Sequence, residues 1–66
     1  MTAHDKVIYI IQQLELSDSK VASAIQKGVS TITHKRMNLR GAKFSEEEFT
    51  RLRDFYLEKL KKIEML

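Results

Sequence analysis

The spacing of apolar residues along the chain predicts four helices joined by short polar breaks. From Val7 to Leu14, and again from Phe49 to Ile63, apolar residues return every three or four positions, which is the repeat of a helix with one buried face. Two shorter patterns lie between these stripes. The predicted helices cover about residues 5–15, 18–26, 29–37 and 46–64, and the predicted fold class is an all-α, compact four-helix domain.

Side chains that favour helix starts mark the beginnings of three of these helices. Asp5 is the predicted N-cap of the first helix, which leaves the residues before it frayed. Ser17 is the predicted N-cap of the second. Ser45 and Glu48 have the spacing of a capping box, in which each side chain accepts a hydrogen bond from the backbone N–H of the other residue.

The third predicted helix has a composition that would also suit a strand, because it is rich in β-branched residues. In a strand, however, neither of the two alternating faces would be apolar. A helix that turns only Ile32 inward fits the pattern better. Gly28 separates this helix from the one before it, since glycine inside a helix costs about 1 kcal/mol.

The chain is short, and its size and composition exclude several classes of protein. Its 66 residues make a single domain, residues 1–66, with a core so small that the monomer is marginally stable. It has no cysteine and only two histidines, so no disulfide, metal site or cofactor is predicted. No apolar run suits a membrane span, and no secretory signal is recognisable, so the expected location is the cytoplasm. Self-association is the expected source of additional stability.

Charge is distributed unevenly along the sequence. Residues 19–45 contain six basic residues and no Asp or Glu, so this segment carries a charge of +6, whereas the remaining residues sum to −3. A basic centre beside acidic ends suggests a surface that binds a polyanion. The plainer interpretation is a solvated surface that lacks acids, and charge alone does not choose between the two.

The apolar spacing of the basic centre points to a known motif. Val21 and Ala22 are followed by Ile25, three residues after the alanine, and then by Ile32, seven residues later, and hydroxyl side chains surround Ile32. This stretch resembles the helix-turn-helix of small phage repressors, Cro-like proteins and activators. The resemblance is close over the motif and looser over the flanking helices. It implies that the second helix of the motif lies in the major groove of DNA.

The sequence departs from that family pattern at two positions. The family usually has glycine directly after the Ile25 position, where this chain has Gln26 and reaches glycine only at Gly28. It usually has an apolar residue three positions after Ile32, where this chain has Lys35. These departures predict a longer turn, or a second helix that starts late and tilts. They also predict a Lys35 stem that packs while its ammonium group reaches a phosphate.

The resemblance implies two sets of DNA-contacting residues. Exposed side chains of the second helix meet base edges, and basic or hydroxyl side chains around it meet phosphates. The candidates for base contacts are Lys27, Val29, Ser30, Thr33 and His34. The candidates for phosphate contacts are Ser19, Lys35, Arg36, Arg40 and Lys43. The plainer interpretation is that these are solvated polar side chains and that Ser19 belongs to a helix start.

The fourth helix, predicted to close the core, has more apolar residues than a core of this size can cover. Such a surplus is typical of a dimer surface. The predicted homodimer interface consists of Phe55, Leu57, Met65 and Leu66. A loosely ordered C-terminus is the alternative interpretation of the same residues.

The favoured hypothesis from the sequence is a sequence-specific transcription regulator of the phage or prophage repressor type. It would be a homodimer that binds double-stranded DNA in the cytoplasm of a bacterial host, and an enzyme is not predicted, because no nucleophile occurs with a base and an orienting group. The alternative is a helical protein-binding module, such as an antirepressor or an antitoxin-like partner of a regulatory protein. The DNA-recognition end of a viral packaging or recombination assembly would have the same sequence features.

Overall fold

Four α-helices and one turn of 3₁₀ helix make up the domain. A computed structural model describes all 66 residues. The helices are α1 (Ala3–Leu14), α2 (Asp18–Ile25), α3 (Val29–Arg36) and α4 (Glu46–Glu64), and the 3₁₀ turn is Leu39–Gly41. There is no strand, so the predicted all-α four-helix fold is confirmed, and the predicted bounds agree to within one residue at every helix end except the start of α1.

The start of α1 differs from the prediction. The N-cap is Thr2 rather than Asp5: the Thr2 hydroxyl accepts a hydrogen bond from the Asp5 N–H at 3.1 Å, and the Asp5 carboxylate accepts one from the Thr2 N–H at 3.3 Å. Ala3 and His4 are therefore helical rather than frayed. His4 is held further, because its Nδ1 accepts a hydrogen bond from the Phe44 N–H at 3.2 Å and its ring stacks on Phe44.

The other predicted helix starts are confirmed. The Ser17 hydroxyl accepts a hydrogen bond from the Lys20 N–H at 3.2 Å and begins α2. Ser45 and Glu48 form the expected capping box at the start of α4, with Glu48 N–H donating to the Ser45 hydroxyl at 3.2 Å and Ser45 N–H donating to the Glu48 carboxylate at 2.8 Å. Each cap satisfies backbone donors that the helix itself leaves unpaired.

One core holds the helices together. Helix α1 packs against α4, and α2 packs against both α3 and α4. The buried apolar side chains are Val7, Ile11, Val21, Ala22, Ala24, Ile25, Ile32, Phe44 and Leu52. Helix α3 contributes only Ile32 to this core, so it lies on the outside of α2 and leaves most of its surface exposed.

The two halves of α4 have different surroundings. Glu48 and Leu52 are buried in the first half, whereas every residue after Tyr56 is exposed. A helix of 19 residues is about 28 Å long, and the molecule measures 44 Å along its longest axis against 24 and 19 Å along the others. The second half of α4 therefore projects from the domain, and we call residues 57–64 the α4 arm.

Candidate nucleic-acid interface

A three-residue turn connects α2 to α3 and sets the position of α3. Gln26 has φ +65° and ψ +49°, the left-handed conformation that ends α2. The N–H groups of Gln26 and Lys27 both donate to the Ala22 carbonyl, at 2.8 and 3.1 Å. Turns of three or four residues that often contain glycine are typical of helix-turn-helix motifs, because glycine adopts the left-handed conformation without strain.

Gln26 adopts the left-handed conformation that glycine would adopt freely. For a glutamine this conformation costs about 1 kcal/mol. Gly28 instead has φ −67° and ψ +147°, an extended conformation open to any residue, and it is the N-cap of α3. Helix α3 begins at Val29. The longer turn and the late helix start, which the position of the glycine suggested, are therefore not present.

The outward surface of α3 lies opposite its one buried residue. Positions Ser30, His34 and Met37 are on the side of the helix away from Ile32, and all three side chains are exposed. Val29, at the start of the helix and three residues before Ile32, lies at the edge of this surface and is 46% exposed. We call Val29, Ser30, His34 and Met37 the α3 outer face.

Two carboxylates fix α3 to the rest of the domain, and the first is that of Asp18 in the first turn of α2. Arg36 donates to both of its oxygens, from Nε to Oδ1 at 2.7 Å and from Nη2 to Oδ2 at 3.0 Å. The Thr33 hydroxyl donates to Oδ2 at 2.7 Å. We call these three residues the Asp18 clamp. The hydrogen bonds from Arg36 lower the pKa of Asp18, against the opposing effect of partial burial, and the same contact raises the pKa of Arg36.

The second carboxylate is that of Glu48, which is only 1% exposed. Lys35 Nζ lies 2.7 and 2.6 Å from its two oxygens, and Lys27 Nζ lies 2.9 Å from Oε2. We call Glu48, Lys27 and Lys35 the Glu48 clamp. Burial of the charged carboxylate raises its pKa, but the hydrogen bonds from Lys35, the Ser45 N–H and Lys27 outweigh this and bring the pKa of Glu48 to about 2.

Lys35 does not have the orientation that the sequence predicts. Its side chain is 20% exposed, and its ammonium group turns inward to Glu48 instead of outward to a phosphate. An unpaired ammonium group here would be costly, but a carboxylate within hydrogen-bonding distance compensates for its loss of water. An ion pair thus occupies the place where the family pattern has an apolar contact.

Half of the basic residues in the central segment are paired within the chain. Lys27 and Lys35 bind Glu48, and Arg36 binds Asp18. The three that form no ion pair are Lys20, Arg40 and Lys43, and all three are exposed. The two acids lie just outside the segment in sequence but against it in space, so its charge is less one-sided than the sequence indicates.

Arg40 lies beside the α3 outer face. Arg40, Leu39 and His34 line one depression in the surface at the end of α3. The loop that carries Arg40 has positive φ angles at Asn38 (55°), Arg40 (52°) and Gly41 (76°). A left-handed conformation costs a non-glycine residue about 1 kcal/mol, and residues with such strain are concentrated at functional sites.

The structure sorts the sequence-predicted site residues into three groups. Those brought together at the α3 outer face and its edge are Val29, Ser30, His34 and Arg40. Those turned into the two clamps are Lys27, Thr33, Lys35 and Arg36. Ser19 and Lys43 are exposed elsewhere, and Ser19 follows directly on Asp18, whose carboxylate disfavours an anion at that end of α2.

Sequence reasoning missed the second role of both clamp acids. Asp18 has a favourable position in the first turn of α2, and Glu48 belongs to a capping box, so the sequence gives neither acid an evident need for a further partner. The available signal was Lys35, because a lysine at an apolar position of a motif must either extend its ammonium group to the surface or pair it with an acid.

Comparisons with protein-family models, with curated proteins and with solved structures found no match to this chain. None of its helices combines the length and the apolar composition that a membrane crossing requires.

Proposed function

We propose that this domain is a sequence-specific DNA-binding transcription regulator of the phage or prophage repressor type, with α3 lying in the major groove. The α3 outer face is the observation that carries the proposal. It belongs to a helix of eight residues, joined to α2 by a short turn and fixed by two clamps. The major groove admits an α-helix and displays donors, acceptors and thymine methyl groups to its side chains.

Each exposed residue has a role that suits its chemistry. Ser30 and His34 would hydrogen-bond to base edges, and the Val29 methyl groups would contact thymine methyl groups. Arg40 and Lys43 have no carboxylate partner, so they would bind phosphates without losing an interaction inside the chain. The clamped residues would act mainly by positioning α3, because to reach DNA they must first give up Asp18 or Glu48.

The proposal is tested by measuring binding to mixed-sequence duplex DNA by fluorescence anisotropy at two salt concentrations, followed by selection from a random-site pool. A sequence-specific regulator is expected to enrich one site and to retain measurable affinity for it at the higher salt concentration. Binding that disappears at the higher salt concentration, with no enriched site, would contradict the proposal.

Variants separate base reading from phosphate binding. Ser30→Ala and His34→Ala are expected to change the selected sequence. Arg40→Ala is expected to weaken binding to every sequence and to reduce the slope of log affinity against log salt by about 1. Lys62→Ala is the matched control, since it removes one positive charge from the α4 arm, and it should leave the slope unchanged.

A helical protein-binding module is the second candidate, and the exposed apolar residues of the α4 arm favour it. It would form a tight complex with another protein, such as a regulatory protein. Its attraction to DNA would be weak, salt-sensitive and indifferent to sequence. In that case Ser30→Ala and Arg40→Ala would have equally small effects in the binding assay.

A further inference from the structure

The α4 arm has an apolar surface of which about half is left exposed by the rest of the chain. Leu57, Leu60 and Ile63 are 44%, 51% and 61% exposed. Ile63 continues the stripe of Leu52 and Tyr56 along the helix, but the body of the domain covers only the start of that stripe. Burial of these exposed apolar side chains against another apolar surface would be favourable, because it removes them from water.

Four residues share one side of α4 and give it a regular charge pattern. Arg53, Leu57, Leu60 and Glu64 are spaced at intervals of four, three and four residues, so they form a single row along the helix. We call this row the arm face. A positive charge lies at one end, a negative charge at the other and two leucines between them, so the row is complementary to a reversed copy of itself.

We propose that two copies of this chain form a homodimer by pairing their arm faces antiparallel. A two-fold axis between positions 58 and 59 sets Leu57 of each copy against Leu60 of the other. The same axis sets Arg53 of each copy against Glu64 of the other. In this single register the leucines of the two copies face each other, and so do the opposite charges at both ends. Each contact occurs twice, as the two-fold symmetry of an isologous interface requires.

The residues beside the arm face support this register. On one flank, Asp54 of each copy lies near Lys61 of the other. The Asp54 carboxylate accepts a hydrogen bond from Arg53 Nε of its own chain at 3.0 Å, so Lys61 would be a second basic neighbour for this exposed pair. On the other flank, Tyr56 of each copy lies near Ile63 of the other. A parallel pairing would instead set Arg53 against Arg53 and Glu64 against Glu64, and like charges opposed across an interface are unfavourable. The charge pattern thus selects the antiparallel orientation.

The arm face also revises the interface predicted from the sequence. Phe55 and Leu57 are two residues apart, so they lie on opposite sides of the helix. Phe55 lines a cleft of about 420 Å³ together with residues of α1, α2 and α4, among them Leu14, Lys20 and Tyr56. Leu57 therefore belongs to the seam, Leu60 joins it, and Phe55 does not.

The size of the surface suits a reversible dimer. The arm face is a single row along one helix, so the interface is expected to be smaller than the roughly 800 Å² per partner of a stable interface. The dimer is therefore expected to dissociate at low concentration. The proposal does not rest on DNA binding; where both hold, two-fold symmetry predicts a palindromic site.

Sedimentation equilibrium over a range of concentrations measures the dimer directly, without DNA. Leu60→Glu is expected to weaken dimerisation at least about tenfold, because it puts a charge into the apolar centre of the seam. Leu66→Glu makes a similar change outside the arm face and should alter the dissociation constant by less than about threefold. A wild-type chain that stays monomeric up to millimolar concentration would overturn the proposal, as would equal effects of the two variants.

Charge exchange tests the register. Arg53→Glu is expected to weaken the dimer about tenfold, because it turns both end pairs from attraction to repulsion. The double variant carrying Arg53→Glu and Glu64→Arg should recover affinity to within about threefold of the wild type, since it restores both pairs in reverse. A double variant as weak as Arg53→Glu would exclude this register.

Cysteine cross-linking tests the orientation, because the chain has no native cysteine. Arg53→Cys and Glu64→Cys chains are mixed and oxidised. Antiparallel pairing brings the two different variants together and predicts a mixed disulfide, while the remaining Arg53–Glu64 pair stays intact. Parallel pairing would bring identical positions together and leave unlike positions about 16 Å apart along the helix. Disulfides only between identical chains would refute the proposal.

Discussion

The Asp18 clamp and the Glu48 clamp fix the same helix, each with one carboxylate and two side-chain donors, but in different surroundings. In the first, the side chains of Arg36 and Asp18 are 40% and 20% exposed. In the second, those of Lys35 and Glu48 are 20% and 1% exposed. The hydrogen-bond distances are similar, between 2.6 and 3.0 Å in both. Burial rather than distance should therefore decide how much each clamp contributes to stability.

Removing each charge in turn gives the largest expected contrast. Glu48→Gln is expected to lower the free energy of unfolding by about 2–4 kcal/mol, because it leaves two ammonium groups beside a neutral, buried amide. Glutamine keeps an acceptor for the Ser45 N–H, so the capping box is disturbed little. Asp18→Asn is expected to cost about 0.5–1 kcal/mol. Urea unfolding of both variants measures the difference, and equal losses would show that burial does not separate the clamps.

The dependence of folding stability on pH should also distinguish the two clamps. The pKa of Glu48 lies at about 2, below its ordinary value of 4.5. A carboxyl whose pKa is lowered by folding stabilises the protein fully above its unfolded-state pKa, and this contribution disappears as the pH falls through the folded-state pKa. The wild type is therefore expected to lose stability between about pH 4.5 and 2.

The control for the acid measurement is the unfolding of Glu48→Gln over the same pH range. Its stability should change less between pH 4.5 and 2 than that of the wild type, because the titrating group is missing. Asp18→Asn should keep most of the wild-type dependence. Wild-type and Glu48→Gln curves that run parallel would mean that Glu48 does not carry the acid sensitivity.

The fold was predictable because its signals are local. Apolar spacing and the caps at Ser17 and Ser45 involve residues within one or two helical turns of each other. The error at the start of α1 was avoidable, since Thr2 and Asp5 have the same spacing as the capping box of α4. The Gln26 turn was harder to predict, because nothing in the sequence marks a glutamine that adopts the conformation of a glycine.

The candidate site was predictable only in part, because the clamps depend on which helices face each other. Glu48 is 13 residues from Lys35 and 21 from Lys27, and Asp18 is 18 residues from Arg36. A count of charge along the sequence treats the central segment as acid-free, whereas in space two flanking acids lie against it. Exposure at Ser30 and His34 follows from the placement of Ile32 alone, so that part of the site could be predicted.

A double-mutant cycle sharpens the comparison further. Lys35→Met places an apolar residue at the position where the helix-turn-helix pattern has one. It also removes one of the two ammonium groups that bind Glu48. Combined with Glu48→Gln, it should cost less than the sum of the two single changes, with a coupling of about 1–2 kcal/mol. The corresponding cycle of Arg36→Met and Asp18→Asn should give less than about 0.5 kcal/mol. Additive behaviour in the first cycle would indicate that Lys35 and Glu48 do not depend on each other.

The smallest expected effect concerns the proposed binding of DNA. Asp18→Asn removes a negative charge from the edge of α3 and releases the guanidinium of Arg36, which lies at the end of the same helix. Affinity for duplex DNA is therefore expected to rise about threefold at low salt, with a salt slope steeper by up to about 1. Glu47→Gln is the matched control, because Glu47 also pairs with an arginine, Arg51, but within α4. A gain for Asp18→Asn and not for Glu47→Gln would indicate that the clamp withholds Arg36 from phosphate. Equal gains in DNA affinity for the two variants would indicate that only the net charge matters. The role of Arg36 would then be to hold α3 in place.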